Sequence, residues 1–434
     1  MVWQAPGVDL GTVAWLAGDE GRAALVAATA YDDDAHARAA AGDASAVDPL
    51  RAASALRSAR PGTDPALLSE VLTQVRLRRR ARPRLGSLVD RILLTEDGLE
   101  QATRTVVADL RAQRYAAAGA THVADLGCGL GLDSAAFARA GLAVTAVERD
   151  PVVAALARHN VAGLGLADRV HVVEGDVTDA ALLDRVLASA DSAYVDPARR
   201  DTARRRDGRS ARVTDPEAWS PPWSWVESVA QRVRRTAAKV APGVDHAMVP
   251  AGGCGTWTSV DAQLVEAELA WPALVTDGAR RRAVMLRDGR TVTWCATDDL
   301  ADEAAPPTGD VGGWLVEPDD ALIRAGLVGM LVHDLDGRLL DPRVAYVTCD
   351  RDPRPLGLRG SAFRVRHALP YDLRALRDAL VSAGVGHVVV KKRATSIDVD
   401  DVRRRLALPK APGSAVVLLT RIGDEPWAFV CDPG

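Results

Sequence analysis

Paired cysteines and long apolar runs are missing from this sequence of 434 residues. Its five cysteines lie far apart and none forms a CxxC pair, so neither a disulfide framework nor a zinc site is expected. No stretch of 18 apolar residues is present, which argues against a membrane-spanning helix. The first residues carry no basic segment before an apolar one. We therefore expect no signal peptide and a cytoplasmic protein with reduced thiols.

Lysine is also scarce. Of 54 basic residues only Lys239, Lys391, Lys392 and Lys410 are lysines, which leaves 54 − 4 = 50 arginines. With so much alanine, this is typical of a GC-rich genome, so an arginine cluster alone is weak evidence for nucleic-acid binding. The cluster at 76–84 could contact phosphate or simply be a solvated helix end. The histidines show no ligand spacing, and we expect no metal.

Residues 121–150 organise the rest of the chain. An apolar run from Val123 leads into Asp125 and the glycines Gly127, Gly129 and Gly131, and a small-residue helix and a second apolar run ending at Glu148 follow. This order predicts strand, tight turn, helix and strand. Glycine lets the backbone approach a ligand, and the helix N-terminus behind it favours an anion. An acid about 20 residues past the glycines is placed to bind a ribose diol.

Two further predicted strands end in polar loops. Residues 170–174 are followed by Gly175 and Asp176, and residues 193–195 are followed by Asp196 and Pro197. In open α/β sheets ligands bind at the carboxyl ends of the strands. The four strand ends therefore predict one shared ligand site.

The spacing DxGxGxG, then Glu, then Asp, then DPxR resembles the class I S-adenosylmethionine-dependent methyltransferases over roughly residues 95–290. The resemblance implies a Rossmann-like α/β fold with a seven-stranded sheet whose last strand is antiparallel. A nicotinamide-binding Rossmann domain is the alternative, but Asp125 and the Asp196-Pro197 pair favour the methyltransferase.

By this resemblance, S-adenosylmethionine is the cofactor. Its methionine part would be held by Asp125, Gly127, Gly129 and Gly131. Glu148 would bind the ribose hydroxyls, Asp176 would accept from the adenine amino group, and Val177 would pack on the adenine ring.

Asp196 and Pro197 stand where amino-methyltransferases carry an acid-Pro-Pro-aromatic motif, which implies that Asp196 orients the methyl acceptor. Ala198 and Arg199 depart from that motif, so Arg199 could instead stack on a base or bind phosphate. A cysteine nucleophile, as in pyrimidine C5 methylation, is a further possibility for Cys254. The surrounding GGCGTW is not the usual pattern, and a buried thiol is the alternative.

The predicted organisation is a helical region at 1–90, the methyltransferase domain at 91–297, a linker at 298–312 and an α/β region at 313–434. Predicted strands five to seven lie at 245–249, 270–275 and 282–286, with helices at 223–240 and 258–269, and the arginine-rich stretch after strand four is expected to be a loop. About residues 361–430, with VVVKKR and VVLLTR, resemble the THUMP-like domain that follows some bacterial methyltransferases.

True THUMP domains present RNA to a catalytic domain, so the resemblance implies an RNA partner. We therefore expect methylation of ribosomal or transfer RNA by direct in-line transfer, supported by the arginine-rich loop and by Lys391, Lys392 and Arg393. Two alternatives stay open. The enzyme could act on a protein or a small molecule, or the chain could bind the cofactor and associate with RNA without catalysis.

Overall fold

The computed structural model describes residues 8–198, 200–206, 209–212, 215–298 and 304–433. The chain divides into two compact units. The first comprises Met1–Lys239 with Trp271–Thr276, and the second comprises Val240–Ala270 with Asp277–Gly434. Within the described residues, no helix is both long enough and apolar enough to span a bilayer.

The first unit begins with helices, as predicted. They are α1 (Leu10–Ala17), α2 (Asp19–Ala40), α3 (Pro49–Ala59), α4 (Pro65–Leu85), α5 (Glu96–Gln101) and α6 (Thr105–Ala117). Aspartates cap several of them, and Asp64 accepts from the Ala66 N–H ahead of Pro65 at the first helical position. Leucines of α1 and α4 share one buried core with Leu130 and Leu156 of the sheet region. The helical region is therefore packed into the first unit.

The sheet region of this unit alternates strands and helices. Its elements are β1 (His122–Leu126), α7 (Leu132–Arg139), β2 (Ala143–Glu148), α8 (Pro151–Gly163), β3 (Val170–Glu174), α9 (Ala180–Ser189), β4 (Ser192–Val195), β5 (Arg200–Arg206), β6 (Arg209–Arg212), α10 (Trp223–Arg232) and β7 (Arg235–Val240). Five strands pair in parallel in the order β7-β4-β1-β2-β3. Central β1 puts Asp125 opposite Tyr194 of β4. The carboxyl ends of β1 to β4 therefore lie along one edge, as expected.

Two predictions in this unit were wrong. Residues 200–212 were expected to form a loop, but β5 and β6 pair as an antiparallel ribbon. Residues 223–240 were expected to be one helix, but α10 ends at Arg232 and the buried residues that follow form β7. The strand that follows β4 in the parallel sheet is therefore β7, at Arg235–Val240, and not the strand predicted at 245–249. Residues 245–249 contain only a short 3-10 helix, His246–Met248.

The second unit begins with β8 (Cys254–Val260), β9 (Gln263–Ala270), β10 (Arg281–Arg287) and β11 (Arg290–Ala296), in the order β11-β10-β8-β9. Residues 258–269 are therefore strands, not the predicted helix. The predicted strand at 270–275 is mostly a 3-10 helix, Pro272–Leu274. β9 pairs antiparallel with β8, and β11 pairs antiparallel with β10, whereas β10, which was predicted to be the antiparallel strand, runs parallel to β8.

The C-terminal elements are β12 (Trp314–Pro318), α11 (Asp320–Arg324), α12 (Val328–Asp334), β13 (Arg338–Asp341), β14 (Val344–Cys349), β15 (Gly360–Pro370), α13 (Leu373–Ser382), β16 (Val385–Lys392), α14 (Val399–Leu406), β17 (Gly413–Ile422) and β18 (Glu425–Cys431). They form a second sheet in the order β13-β14-β12-β15-β18-β17-β16, with two apolar cores. Within the α/β region expected at 313–434, β15 to β18 alternate with α13 and α14 over residues 360–431. The mixed α/β fold with a second C-terminal sheet is confirmed.

Candidate active site

Three glycines shape the turn after β1. The N–H groups of Gly127 and Cys128 both donate to the Val147 carbonyl at 3.0 Å, which anchors the turn to β2. Gly127, Gly129 and Gly131 have φ of +96°, +53° and +74°, a conformation that residues with a Cβ rarely adopt. A Cβ at Gly129 would meet no described atom within 4 Å. The backbone there is open to a ligand.

Glu148 ties the end of β2 to this turn. Its Oε2 accepts from the Gly129 N–H at 3.0 Å, and its Oε1 accepts from the Asp150 N–H at 2.9 Å. An ionised carboxylate offers about four lone-pair sites. Each oxygen therefore retains the capacity to accept a hydroxyl from a bound diol, while the backbone fixes its orientation.

Asp176 and Val177 follow β3. Oδ1 of Asp176 accepts from the N–H and the hydroxyl of Thr178 at 2.8 and 2.7 Å. The Thr178 N–H is the main cause that lowers the pKa of Asp176, so the side chain is an acceptor at neutral pH. Asp176 is exposed and Val177 is half-buried, so both are accessible to a planar ligand.

Asp125 is buried at the end of β1. Its Oδ2 accepts from the Ser134 hydroxyl at 2.5 Å, but among the described residues its Oδ1 has no hydrogen-bond partner. Burial raises the pKa of Asp125 to about 7, and the neighbouring Asp133 and Asp196 carboxylates add to the shift. A buried acceptor without a donor is costly, and a cationic donor bound beside it would remove that cost.

Asp196 lies where β4 ends, and Lys239 of β7 holds it. The Lys239 ammonium lies 2.5 Å from Asp196 Oδ2. It also donates to the Gln101 carbonyl at 3.3 Å and to the Thr103 hydroxyl at 3.2 Å. Pro197 is buried directly after Asp196, whereas Arg199 lies outside the described residues. The position of the Asp196 carboxylate is therefore fixed from the side of β7.

A second set of contacts extends this arrangement to α7. The Thr103 hydroxyl donates to Asp133 Oδ2 at 2.9 Å, and the buried Arg111 guanidinium binds the other oxygen of Asp133. The same guanidinium lies 4.6 Å from the centroid of the Tyr194 ring. The site thus combines three carboxylates with two cations, an excess of negative charge that suits a positively charged ligand.

Sequence reasoning missed Lys239. The residue was noted only as one of four lysines, and the strand that carries it was assigned to a helix. The rarity of lysine was the available signal. In a chain with 50 arginines and four lysines, a lysine between apolar residues is an unusual choice of basic residue. Two of the partners of Lys239, Gln101 and Thr103, lie at the end of α5 and just beyond it, ahead of α6.

The arginine cluster at 76–84 is engaged within the first unit. Arg78 donates to the Ile92 carbonyl, and Arg84 donates to the carbonyls of Leu99 and Ala102, at 2.9 to 3.1 Å. The other four arginines of the cluster pair with carboxylates of α2, α5 or Asp90. The cluster therefore binds other parts of its own unit, while four of its side chains remain 40–57% exposed to solvent.

Two further sequence candidates are also engaged internally. Cys254 at the start of β8 is fully buried, and its thiol donates to the Gly255 carbonyl at 3.5 Å, which does not present it to a substrate. Lys391 lies 2.5 Å from Glu317, and Arg393 lies 3.2 Å from Asp320. Much of the charge of the Lys391-Lys392-Arg393 segment is therefore neutralised within the second unit.

The comparison with known proteins decides the family. The chain is 35% identical over 369 residues to an uncharacterised S-adenosylmethionine-dependent methyltransferase of Mycobacterium tuberculosis H37Rv, covering 82% of this chain and 95% of that protein. The chain belongs to the S-adenosylmethionine-dependent methyltransferases. The methyltransferase domain family matches residues 123–206 and the THUMP domain-like family matches residues 360–433. Both resemblances predicted from the sequence are confirmed.

Two other similarities are narrower. A 23S rRNA (uracil(1939)-C(5))-methyltransferase of Acidithiobacillus ferrooxidans is 40% identical over 79 residues, which covers 18% of each chain. The crystal structure of a protein of Porphyromonas gingivalis W83 described as a methyltransferase superposes with a TM-score of 0.66 at 18% identity, covering 86% of this chain and 92% of that one. The structural similarity supports the fold.

The residues of this methyltransferase fit its cofactor, S-adenosylmethionine. Asp125 Oδ1 is a buried acceptor without a donor among the described residues, and the backbone at Gly129 has open space beside it. The glycine turn, the acid at the end of β2 and the acid after β3 follow one another along the sheet edge in the order that a methionine, a ribose and an adenine would need.

Proposed function

We propose that this methyltransferase transfers a methyl group to RNA, ribosomal or transfer, and that Asp196 with Pro197 positions the acceptor atom. One observation carries the proposal. A Cβ built at Gly127 would lie 3.6 Å from the Asp196 carbonyl oxygen, so the acidic loop after β4 adjoins the glycine turn. An acceptor held by Asp196 is thus beside the proposed cofactor site.

In the cofactor site that we propose, the end of each strand binds a different part of the cofactor. Asp125 Oδ1 accepts from the ammonium of the methionine part, and the glycine turn lies along it. Glu148 receives the ribose hydroxyls, Asp176 accepts from the adenine amino group and Val177 packs on the ring. S-adenosylmethionine supplies an activated methyl group when it is bound. The chain therefore needs to orient two partners and exclude water, rather than form a covalent intermediate.

Asp196 would provide the orientation of the acceptor. Its Oδ2 is held by Lys239, and among the described residues its Oδ1 has no partner, so Oδ1 can accept a hydrogen bond from an acceptor N–H or O–H. Fixing the carboxylate from one side limits where the acceptor lone pair points. The rate advantage then comes from alignment. Arg199, proposed to stack on a base or to bind phosphate, adjoins this loop in the sequence.

Support for RNA as the substrate comes from the family match in the C-terminal sheet and from one shorter sequence similarity. The THUMP domain-like family matches residues 360–433, and the shorter similarity is to an enzyme named for 23S rRNA. True THUMP domains present RNA to a catalytic domain, which gives this sheet a role that a methyltransferase of small molecules would not need.

The test is to incubate the purified protein with tritiated S-adenosylmethionine and total RNA from a strain that lacks the gene. We expect label in RNase-sensitive material, and digestion to nucleosides would identify the methylated atom. The matched control is Asp196→Ala, which should bind the cofactor normally and lose about 10²-fold in turnover. Label in protein or in small molecules instead would replace RNA as the substrate, and cofactor binding with no label anywhere would indicate a non-catalytic protein.

A further inference from the structure

A groove of about 510 Å³ lies in the second unit and is lined by the end of β10 and by residues of the C-terminal sheet region. It is lined by residues from separate parts of the chain. These are Arg287 at the end of β10, Trp314 at the start of β12, Arg354 ahead of β15, Phe363 and Arg364 within β15, and Lys391 of β16. Four of these six side chains are cationic and two are aromatic. This size matches the range of pockets that bind small molecules or single nucleotides.

Two of the four cations of the groove have no ion-pair partner among the described residues, whereas Lys391 and Arg354 are paired. Among the described residues, Arg287 and Arg364 form no ion pair. Asp432 is the carboxylate among the groove residues, and Arg366 already pairs with it. Arg364 is exposed and Arg287 is half-buried, so both guanidinium groups can reach an anion. Arginine binds phosphate with two parallel hydrogen bonds, which makes a phosphodiester a fitting ligand.

The groove also offers a planar surface. The Arg354 guanidinium lies 4.7 Å from the centroid of the Trp314 ring, and Asp352 pairs with Arg354 and helps to hold it there. The Lys391 ammonium lies 5.2 Å from the centroid of the Phe363 ring, and both residues also line the groove. Unpaired bases in RNA stack on aromatic rings and on arginine planes. Free phosphate would have no use for this surface.

We propose that this groove binds one nucleotide of a single-stranded RNA, with Arg287 and Arg364 on the phosphate and the base stacked on the Arg354–Trp314 pair. The inference rests on the proposed RNA substrate and adds a binding site outside the methyl-transfer residues. It assigns RNA contact to Arg287 and Arg364 rather than to Lys391 and Arg393, which are ion-paired.

The experiment measures binding of fluorescein-labelled hexauridylate and hexaadenylate to the full chain at several salt concentrations. Arg287→Gln with Arg364→Gln should weaken binding by about tenfold or more. The slope of the logarithm of the binding constant against the logarithm of the salt concentration should become shallower by about 1.4, because two phosphate contacts are lost. Trp314→Leu should weaken binding by about tenfold with an unchanged salt slope, because it removes stacking without removing charge. Circular dichroism would establish that each variant is folded.

The matched control is Arg324→Gln with Arg374→Gln, which removes two exposed arginines outside the groove. Wild-type binding by this control together with the losses above would support the proposal. Equal loss in both double variants, unchanged binding in the groove variant, or no binding of either oligonucleotide to the wild type would overturn it. Competition by polyphosphate as strong as by the oligonucleotides would reduce the site to an anion site and overturn the nucleotide assignment. Methyl transfer to total RNA, measured separately, tests the proposed function, so the two can fail independently.

Discussion

The ammonium group of Lys239 lies 2.5 Å from the Asp196 carboxylate, and it also donates to the Gln101 carbonyl and to the Thr103 hydroxyl. Lys239 is buried, with 8% of its side chain exposed, while 25% of the Asp196 side chain is exposed. The two partners are thus unequally placed. Removing the acid strands a buried cation, whereas removing the lysine leaves an acid that water can reach.

We first predict an asymmetric double-mutant cycle at this pair. Asp196→Ala should lower the free energy of unfolding by about 1–3 kcal/mol more than Lys239→Met, because only the first variant leaves a buried charge without its carboxylate. The coupling energy should be about 1–3 kcal/mol. Urea denaturation of both single variants and the double variant measures it. Equal losses in the two single variants would show that the pair is not buried as described.

The second prediction concerns the glycine turn. Gly129→Arg should abolish S-adenosylmethionine binding in calorimetry while the protein stays folded, since the added side chain enters open space that the cofactor would need. Gly141→Arg is the matched control. Gly141 also has positive φ and open space beside it, but it follows α7 at the other end. Loss of cofactor affinity in the control would mean that backbone strain, and not occupancy of the site, explains the first result.

The third prediction is that Asp125→Asn stabilises the protein and weakens its binding of the cofactor. The pKa of Asp125 is about 7 in the folded chain against 3.8 for an ordinary aspartate. The folded state therefore binds the proton more tightly, and the ionised form costs up to about 4 kcal/mol above pH 7. Asparagine avoids this cost and can still accept from Ser134.

The stability difference between Asp125→Asn and the wild type should depend on pH. The stability advantage of Asp125→Asn should be greatest above pH 7, shrink between pH 7 and pH 4 and vanish below that range. Thermal or urea unfolding of both proteins across this range measures it, and calorimetry measures the cofactor affinity. An advantage that is constant with pH would exclude the buried carboxylate as its source.

The fourth prediction concerns the contribution of the C-terminal basic segment to stability. Lys391→Glu with Arg393→Glu should lower the free energy of unfolding by about 1–2 kcal/mol, because both new acids face Glu317. Adding Glu317→Gln should restore part of that loss. Lys410→Glu, at an exposed position, should change stability by less than about 0.5 kcal/mol. Urea denaturation distinguishes these variants, and no rescue by Glu317→Gln would rule out the ion pairs as the cause.

The cofactor-facing half of the fold could be predicted because local sequence determines it. Glycine at positive φ, an acid after an apolar run and Asp150 capping α8 ahead of Pro151 each leave a signal within a few residues. The helical region at 1–90 and the α/β character of the C-terminal region were predicted for the same reason. Arg199, in contrast, lies outside the described residues, and its proposed role stays a prediction.

The second half of the sheet misled sequence reasoning because tertiary burial overrides local preference there. Residues 263–270 are rich in Ala, Leu and Glu, which favour helix, yet β9 buries Glu266 and Glu268 in a strand. The hairpin before β9 turns at Asp261 and Ala262 with positive φ, without the glycine that usually signals such a turn. Contacts between distant residues, such as Lys239 with Gln101, leave no local signal.

The arginines of α4 have a consequence for how small this enzyme can be. Arg84 holds the carbonyls of Leu99 and Ala102, on either side of the residue whose carbonyl receives Lys239. A shortened chain that starts at residue 91 would retain every cofactor motif and lose the support beneath its acceptor loop. Because Leu130 and Leu156 share their core with α1 and α4, such a fragment should lose stability and cofactor affinity together, so the minimal folded unit extends well before the first recognisable motif.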